Sequence, residues 1–181
     1  MASDLMTHPS TNRRGFVRAA AVGAGALALG GPSTIRDAAG PPAEAMRRAA
    51  HVALARAFYT PFSTGQVALY DTVLAPDWID RPLGQGQATG RDGFKPAVRA
   101  FRAALHDLTV TIEDLVADGD KVAIRTTFRG THAGAFLGIA PTGRRVAFRT
   151  ADIHRIAGDA IAETWHLEDL FGLAQQLTAP R

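Results

Sequence analysis

The sequence predicts an α+β domain in which helices come first and an antiparallel sheet follows. Up to about residue 105, apolar residues recur with a period near 3.6, which is typical of helices. From residue 108 onward the period is two, which is typical of half-buried strands. Two turn sequences, Asp118-Gly119 and Gly158-Asp159, divide this second half into consecutive strands. Helices segregated from a meander of antiparallel strands define the α+β class.

The helices are delimited by the residues that interrupt their apolar stripes. A first helix is predicted over 43–59, and the Pro- and Gly-containing segment 61–65 ends it. A short second helix is predicted over 66–74. A third helix follows over about 93–105, with Asp92 as its cap. We therefore expect three helices before the sheet.

The remaining elements follow from the change of period. An extended segment is predicted after the second helix, then a glycine-rich loop, at 76–82 and 83–91. Four strands are predicted, at 108–115, 121–131, 145–156 and 160–168. The tail over 169–177 is expected to form one or two helical turns.

Composition excludes several classes of protein. The chain has 181 residues, of which 46% are hydrophobic and none is cysteine. The apolar fraction argues against disorder, and the lack of cysteine excludes a disulfide scaffold or a cysteine metal site. The net charge is +3, but after residue 40 there remain 16 basic and 15 acidic residues. This balance gives no support to a nucleic-acid-binding surface.

The first 40 residues have the pattern of an export signal. Arg13-Arg14-Gly15-Phe16-Val17 precedes the weakly apolar run 19–31, which is too short and glycine-rich for a stable membrane span. Paired arginines before such a run indicate twin-arginine export to the periplasm or medium, with the translocase as partner. Cleavage is possible near Ala28-Leu29-Gly30 or Ala43-Glu44-Ala45, and a disordered basic tail is the alternative. We divide the chain into a leader with linker, 1–40, and one domain, 41–181.

The second half of the domain carries an ordered series of short motifs. It contains Gly130-Thr131-His132-Ala133-Gly134, then Gly138-Ile139-Ala140-Pro141-Thr142-Gly143, and later Glu163-Thr164-Trp165. In order and spacing, these motifs resemble those of the SnoaL-like polyketide cyclases and ester cyclases. The resemblance spans roughly residues 46–178 and is strongest from Ile112 onward.

This resemblance implies a fold and a chemistry. The fold is the cone shared with nuclear transport factor 2, in which a curved, mainly antiparallel sheet wraps around three helices and encloses an apolar pocket. The chemistry implied is an intramolecular aldol closure of a polyketide ester by an acid/base residue, with no metal and no organic cofactor. Burial of a carboxylate raises its pKa, which suits proton transfer near neutral pH.

The catalytic pair implied by the resemblance has its residue types exchanged. The position of the cyclases' carboxylate is occupied by His166, and that of their histidine by Asp152. In this pair Asp152 would orient the imidazole, and His166 would be the base. Alternatively, Asp152 is an inward carboxylate satisfied by a neighbouring hydroxyl or amide, and His166 faces a dimer partner. A further polar position of the cyclases falls at Asp80, which could instead pair with Arg81 on the surface.

Four further residues are candidates for the pocket. His132 could reach the pocket mouth, or its ring could hold the following loop through backbone groups. Trp78, Phe148 and Trp165 are large enough to line a cavity and also fit a plain core. The histidines lack metal-ligand spacing, so no metal site is predicted.

Three functions remain compatible with these residues. The first is an exported cyclase-like enzyme that acts on an apolar carbonyl compound or ester. The second is a hydrolase or isomerase on the same scaffold, since fold alone does not fix chemistry. The third is a periplasmic protein that binds a hydrophobic small molecule without catalysis. In each case, the resemblance implies a homodimer formed through the outer face of the sheet.

Overall fold

A computed structural model describes residues 41–180 of the chain. The predicted leader, 1–40, lies outside the described residues. Within the described residues, no helix combines the length and apolar character needed to cross a membrane.

The described residues form five α-helices. Their bounds are α1 Pro41–Ala57, α2 Thr60–Thr64, α3 Tyr70–Val73, α4 Gly90–Ala104 and α5 Leu170–Thr178. Thr89 occupies the N-cap position of α4, whereas Asp92, the predicted cap, lies in the first turn and pairs with Lys95 at 2.7 Å. The tail helix is confirmed as α5, whose N-cap Asp169 accepts a hydrogen bond from the Gly172 amide.

The segment between α1 and the sheet differs from the prediction. Residues 61–65 were expected only to end the first helix, but Pro61 lies in the first turn of a short helix, α2, where proline is tolerated because the N–H that it lacks would have no partner within the helix. Gly65 ends α2 with φ +80°, a conformation that glycine adopts at little cost. The single helix expected over 66–74 is instead a 3₁₀ turn, Val67–Leu69, followed by α3.

The sheet has five strands rather than the four expected. They are β1 Leu74–Arg81, β2 Leu105–Asp118, β3 Lys121–His132, β4 Arg145–Ala157 and β5 Ala160–Glu168, in the order β1-β5-β4-β3-β2. The segment predicted only as extended is β1, which pairs in parallel with β5. This pairing covers the β5 edge, which would otherwise present unpaired backbone groups. The predicted α+β class is confirmed, with helices on a curved, mainly antiparallel sheet.

Aromatic side chains fill the space between the helices and the inner face of the sheet. The ring of Phe58 lies at the centre, with centroids 5.6 Å from Phe94 and 4.7 Å from His154. Phe128 stacks on Phe148 at 5.1 Å, on neighbouring strands. This aromatic core fixes how α1 and α2 lie over the sheet, and it thereby places Tyr59, at the α1–α2 junction, above β4.

Candidate active site

Asp152 is a buried carboxylate on the inner face of β4. It is only 6% exposed, and it lies opposite Ile124 of β3 and His166 of β5. The hydroxyl of Tyr59 donates a short hydrogen bond to its Oδ2, and the hydroxyl of Thr150 donates to the same oxygen at 3.2 Å. Within the described chain, no side chain or backbone group hydrogen-bonds to Oδ1. The protein therefore holds Asp152 through one oxygen of its carboxylate.

The surroundings of Asp152 bring its pKa close to neutral pH. Burial raises the pKa of Asp152 to about 6, because the ionised form loses its hydration. The hydrogen bond from Tyr59 and the charge of His166 act in the opposite direction, since both favour the carboxylate. The charge of Glu168 adds to the increase. A carboxylate with this pKa can accept a proton at neutral pH and release it again.

His166 lies opposite Asp152 but forms its hydrogen bonds elsewhere. Its Nδ1 is 2.6 Å from Glu168 Oε1, and its Nε2 is 3.0 Å from Asp80 Oδ1 and 2.8 Å from the Pro82 carbonyl oxygen. Carbonyl and carboxylate oxygens accept hydrogen bonds, so both ring nitrogens carry protons. Burial lowers the pKa of His166, but the hydrogen bonds to Asp80 and Glu168 outweigh it and raise the pKa to about 10. His166 is therefore an imidazolium ion at neutral pH.

Asp80 is brought into the site from the parallel strand β1. It is 8% exposed, lies beside Thr164 in register, and also accepts a hydrogen bond from the Gln87 amide at 2.7 Å. Its predicted alternative partner, Arg81, instead pairs with Glu163 at 2.5 Å. The contacts of Asp80 link His166 to the loop that follows β1.

A second layer of polar groups lies behind Asp152. His154 is fully buried, with Nε2 3.4 Å from the Tyr59 hydroxyl and Nδ1 3.0 Å from Thr164 Oγ1. The indole of Trp78 donates to the same Thr164 oxygen at 3.0 Å. Burial and the charge of His166 lower the pKa of His154 to about 3, so its ring is neutral.

A bulge in β5 determines which of its side chains reach the site. Arg155 of β4 pairs with Glu163, but the next residue, Ile156, pairs with Ile161, so β5 has one extra residue at this point. As a result, both Ile161 and Thr164 are buried. His166 consequently faces inward, whereas Trp165, which lies opposite Ile153, faces outward. The alternation along the strand would otherwise have placed Ile161 and Trp165 on one face, as the sequence suggests.

The predicted pocket residues are dispersed by the fold. Trp78 lies in the polar layer behind Asp152, and Phe148 lies in the aromatic core against Phe128. His132 lies at the end of β3, where its Nδ1 accepts a hydrogen bond from the Thr142 amide at 3.2 Å. This contact corresponds to the structural alternative for His132, in which the ring holds the following loop.

A groove of about 950 Å³ crosses the strands next to the site. On each of β3 and β4, three consecutive residues line the groove, 123–125 and 151–153. The middle residue of each set, Ile124 on β3 and Asp152 on β4, faces inward. The flanking residues face outward, so the groove lies across the outer face of the sheet. Trp165 contributes to it from β5. The groove therefore contacts the strands that carry the site on the side opposite to Tyr59.

Sequence reasoning did not assign Tyr59, His154, Thr164 or Glu168 to the site. His154 has the same strand parity as Asp152, but it was left out because it lies near the end of the predicted strand. Tyr59 has no parity signal, because it lies at the α1–α2 junction, 93 positions away from Asp152 in the chain. In the described part of the chain, no group of three or more His, Asp or Glu side chains has the arrangement of a metal site.

Comparisons with known proteins agree with this architecture. The family model of the SnoaL-like polyketide cyclases matches residues 52–177. TsrD from Streptomyces laurentii is 33% identical, with a TM-score of 0.68, and the match covers 74% of this chain and 98% of that protein. A comparison with curated proteins gave no match.

Two further solved structures have the same fold. A candidate polyketide cyclase from Bacillus cereus ATCC 10987 is 34% identical, with a TM-score of 0.63, and the match covers 71% of this chain and 80% of that protein. IdmH from Streptomyces antibioticus, also a candidate polyketide cyclase, is 29% identical at a TM-score of 0.63, with 70% and 97% covered. From the family model and these relatives, we conclude that the chain belongs to the SnoaL-like polyketide cyclase family.

Proposed function

We propose that this protein closes a ring in an apolar carbonyl compound or ester, with Asp152 as the catalytic base. Membership of the cyclase family supports a cyclase-type function in general terms. The observation that carries the specific proposal is the state of Asp152, which is buried, has a pKa near 6 and is hydrogen-bonded through only one oxygen. Such a group is suited to remove a proton from carbon and to return it.

The proposed reaction is an intramolecular aldol addition. Asp152 Oδ1 removes a proton from the carbon between two carbonyl groups, and the electrons of that C–H bond form an enolate. The enolate carbon then bonds to a second carbonyl carbon of the same molecule, whose oxygen becomes an alkoxide. The alkoxide takes the proton from Asp152, so that the product is an isomer of the substrate. Holding both carbons together lowers the entropic cost of ring closure.

His166 receives a different role from the one that the resemblance implied. Both of its nitrogens donate to oxygens of Asp80, Pro82 and Glu168, so the ring has no free lone pair with which to act as a base. Its positive charge favours the ionised form of Asp152 before the reaction. In this proposal His166 is therefore a fixed cation beside the base.

The test uses aromatic β-keto esters that carry a second carbonyl group, together with the mature domain and its Asp152→Asn variant. We expect the wild-type protein to convert at least one probe into a cyclic isomer of equal mass. Loss of the general base should lower this rate by about 10²–10⁴-fold. Asp118→Asn, which removes an exposed carboxylate at the end of β2, serves as the matched control.

Three outcomes of this test are informative. Equal rates for the wild type and Asp152→Asn would contradict the assignment of Asp152. Tight binding of the probes without conversion, and without exchange of the acidic hydrogen for deuterium, would support a binding protein instead. Cleavage of the ester or migration of a double bond would support a hydrolase or an isomerase.

We also propose that the chain is exported through the twin-arginine pathway to the periplasm or medium. The support is the sequence Arg13-Arg14-Gly15-Phe16-Val17 ahead of the apolar run 19–31. The full chain should appear outside the cytoplasm of a bacterial host, and replacement of Arg13 and Arg14 by lysine should retain it inside. Unchanged export of the double variant would contradict the proposal.

A further inference from the structure

A chain of hydrogen bonds runs from Trp78 to Asp152 through the interior of the protein. In order, the groups are the Trp78 indole, the Thr164 hydroxyl, the His154 ring, the Tyr59 hydroxyl and the Asp152 carboxylate. The first three contacts measure 3.0, 3.0 and 3.4 Å. All five residues are buried. The proposed mechanism does not use His154, although it is buried only one hydroxyl group away from the base.

The two ends of this chain determine its direction. An indole N–H only donates, and an ionised carboxylate only accepts. Since Thr164 accepts from Trp78, its own hydroxyl hydrogen is free to point at His154 Nδ1. When Nδ1 of a neutral imidazole accepts a hydrogen bond, the ring hydrogen is on Nε2. In His154, Nε2 faces the Tyr59 oxygen. Tyr59 thus receives one hydrogen bond from His154 and gives its only hydrogen to Asp152.

The opposite tautomer of His154 would weaken the hold on Asp152. With the hydrogen on Nδ1, the lone pair of Nε2 would face Tyr59 and compete with Asp152 for the hydroxyl hydrogen. Burial and the proximity of Asp152 raise the pKa of Tyr59 well above its usual value, so this hydroxyl retains the hydrogen. The tautomer of His154 therefore determines whether the Tyr59 hydroxyl donates its hydrogen bond to Asp152 or to His154.

We propose that His154 is a positioning residue that acts through Tyr59, and that Thr164 holds it in the Nε2–H tautomer so that the Tyr59 hydroxyl keeps donating its hydrogen bond to Asp152. This inference rests on the proposed function only in taking Asp152 as the base. The other groups that face Asp152 are Thr150 on its own strand and His166 and Glu168 on β5. None of these lies on the path between His154 and Asp152.

The experiment is an NMR titration of the ligand-free protein. Nitrogen-15 shifts report the tautomer of His154, and carboxyl carbon-13 shifts report the titration of Asp152. We expect His154 to be Nε2–H and not to titrate between about pH 5 and 8, since its pKa lies near 3. A wild-type protein with His154 in the Nδ1–H tautomer would overturn the proposal.

Thr164→Val is the decisive variant, because it removes the hydroxyl but retains the branched shape. Without the hydroxyl the His154 ring loses its partner at Nδ1, so we expect its nitrogen-15 shifts to change and its Nε2–H contact with Tyr59 to loosen, and the pKa of Asp152 to rise by about half a pH unit or more, the equivalent of one weakened hydrogen bond. Thr127→Val, at another buried threonine, on β3, is the matched control and should leave both readouts unchanged. An Asp152 pKa that does not change in Thr164→Val would overturn the proposal.

Two more variants protect the test against misfolding. His154→Gln keeps an N–H group directed at Tyr59 and should keep the pKa of Asp152 near the wild-type value, whereas His154→Leu, which has no such group, should raise it. If both variants give the same pKa for Asp152, His154 has no positioning role. The titration needs no substrate, so it can succeed even if the ring-closure assay fails. Conversely, ring closure that depends on Asp152 but ignores Thr164→Val would leave the proposed function intact and refute this inference.

Discussion

At the scale of single residues, the site combines two groups whose charges are set in opposite ways. Asp152 is buried among hydroxyl groups, and its pKa rises because the ionised form is poorly solvated. His166 is held between two carboxylates, which keep its ring positively charged. Two titratable groups with pKa values displaced in this way have separate roles at neutral pH, one as a proton acceptor and one as a fixed charge.

The first prediction concerns the stability cost of Asp152. Its pKa is about 6 in the folded protein against 3.8 ordinarily, so ionisation is harder after folding. Below the ordinary value the carboxyl is neutral in both states, and the cost grows as pH rises through about 6, to roughly 3 kcal/mol. Asp152→Asn lacks this cost. Urea unfolding at pH 4, 5, 6 and 7 should therefore show the variant gaining stability relative to wild type as pH rises.

The control for this prediction is Asp118→Asn, at an exposed position at the end of β2. Its stability relative to wild type should change little over the same pH range. A difference between wild type and Asp152→Asn that does not vary with pH would show that Asp152 ionises in the folded protein as it does in the unfolded chain.

At the scale of the elements, the family motif at 130–134 joins α4, β2 and β3. A Cβ on Gly134 would lie 2.6 Å from the Ala103 carbonyl oxygen, and one on Gly130 would lie 2.9 Å from that of His106. Between the two glycines, His132 holds the amide of Thr142. Residues 130–134, which are useful for recognising the family, therefore form a close packing contact at the end of the sheet away from Asp152.

The second prediction follows from this close approach. Gly134→Ala places a methyl group against a backbone oxygen that cannot rotate away, so we expect a loss of about 1–3 kcal/mol in the free energy of unfolding. Gly84→Ala is the control, because the atoms nearest its added Cβ belong to the flexible side chain of Gln87. Denaturant unfolding of both variants measures the difference. Equal stabilities would show that the α4–β2 junction can move aside.

At the scale of the whole molecule, the two faces of the sheet differ in what covers them. The inner face is covered by the aromatic core, whereas the outer face carries the 950 Å³ groove and exposes apolar side chains. Val116 is 62% exposed and Leu167 is 74% exposed on this face. Apolar surface of this extent on a sheet face is typical of an interface.

The third prediction is that the protein forms a homodimer through this outer face, as the resemblance implied. Val116→Glu should convert the dimer into a monomer, because association would bury a charge beside its symmetry mate. Sedimentation velocity measures the change, and circular dichroism should show an unaltered fold. Met46→Glu introduces the same charge at an exposed apolar position of α1 and should leave the dimer intact. A wild-type monomer would refute the prediction.

Much of the fold and part of the site could be predicted from sequence. The alternation along β4 correctly placed Asp152 and Phe148 on the buried face, because strand parity is a local property. The same argument failed on β5, where the bulge changes the face after Ile161 and depends on pairing with β4. It also failed for β1, since its parallel partner lies more than 80 positions later in the chain. Tyr59 and the partners of His166 were missed for the same reason.

The sequence alone determined that helices precede a series of antiparallel strands, the α+β class and the residue types available for proton transfer. These depend on periodicity and turn chemistry, which act over a few neighbouring residues. The tertiary structure decided which atoms meet: Tyr59 with Asp152, and His166 with Asp80 and Glu168. It also decided which residue is suited to be the base, because burial and hydrogen bonding set the charge of a side chain, and both depend on elements far apart in the chain.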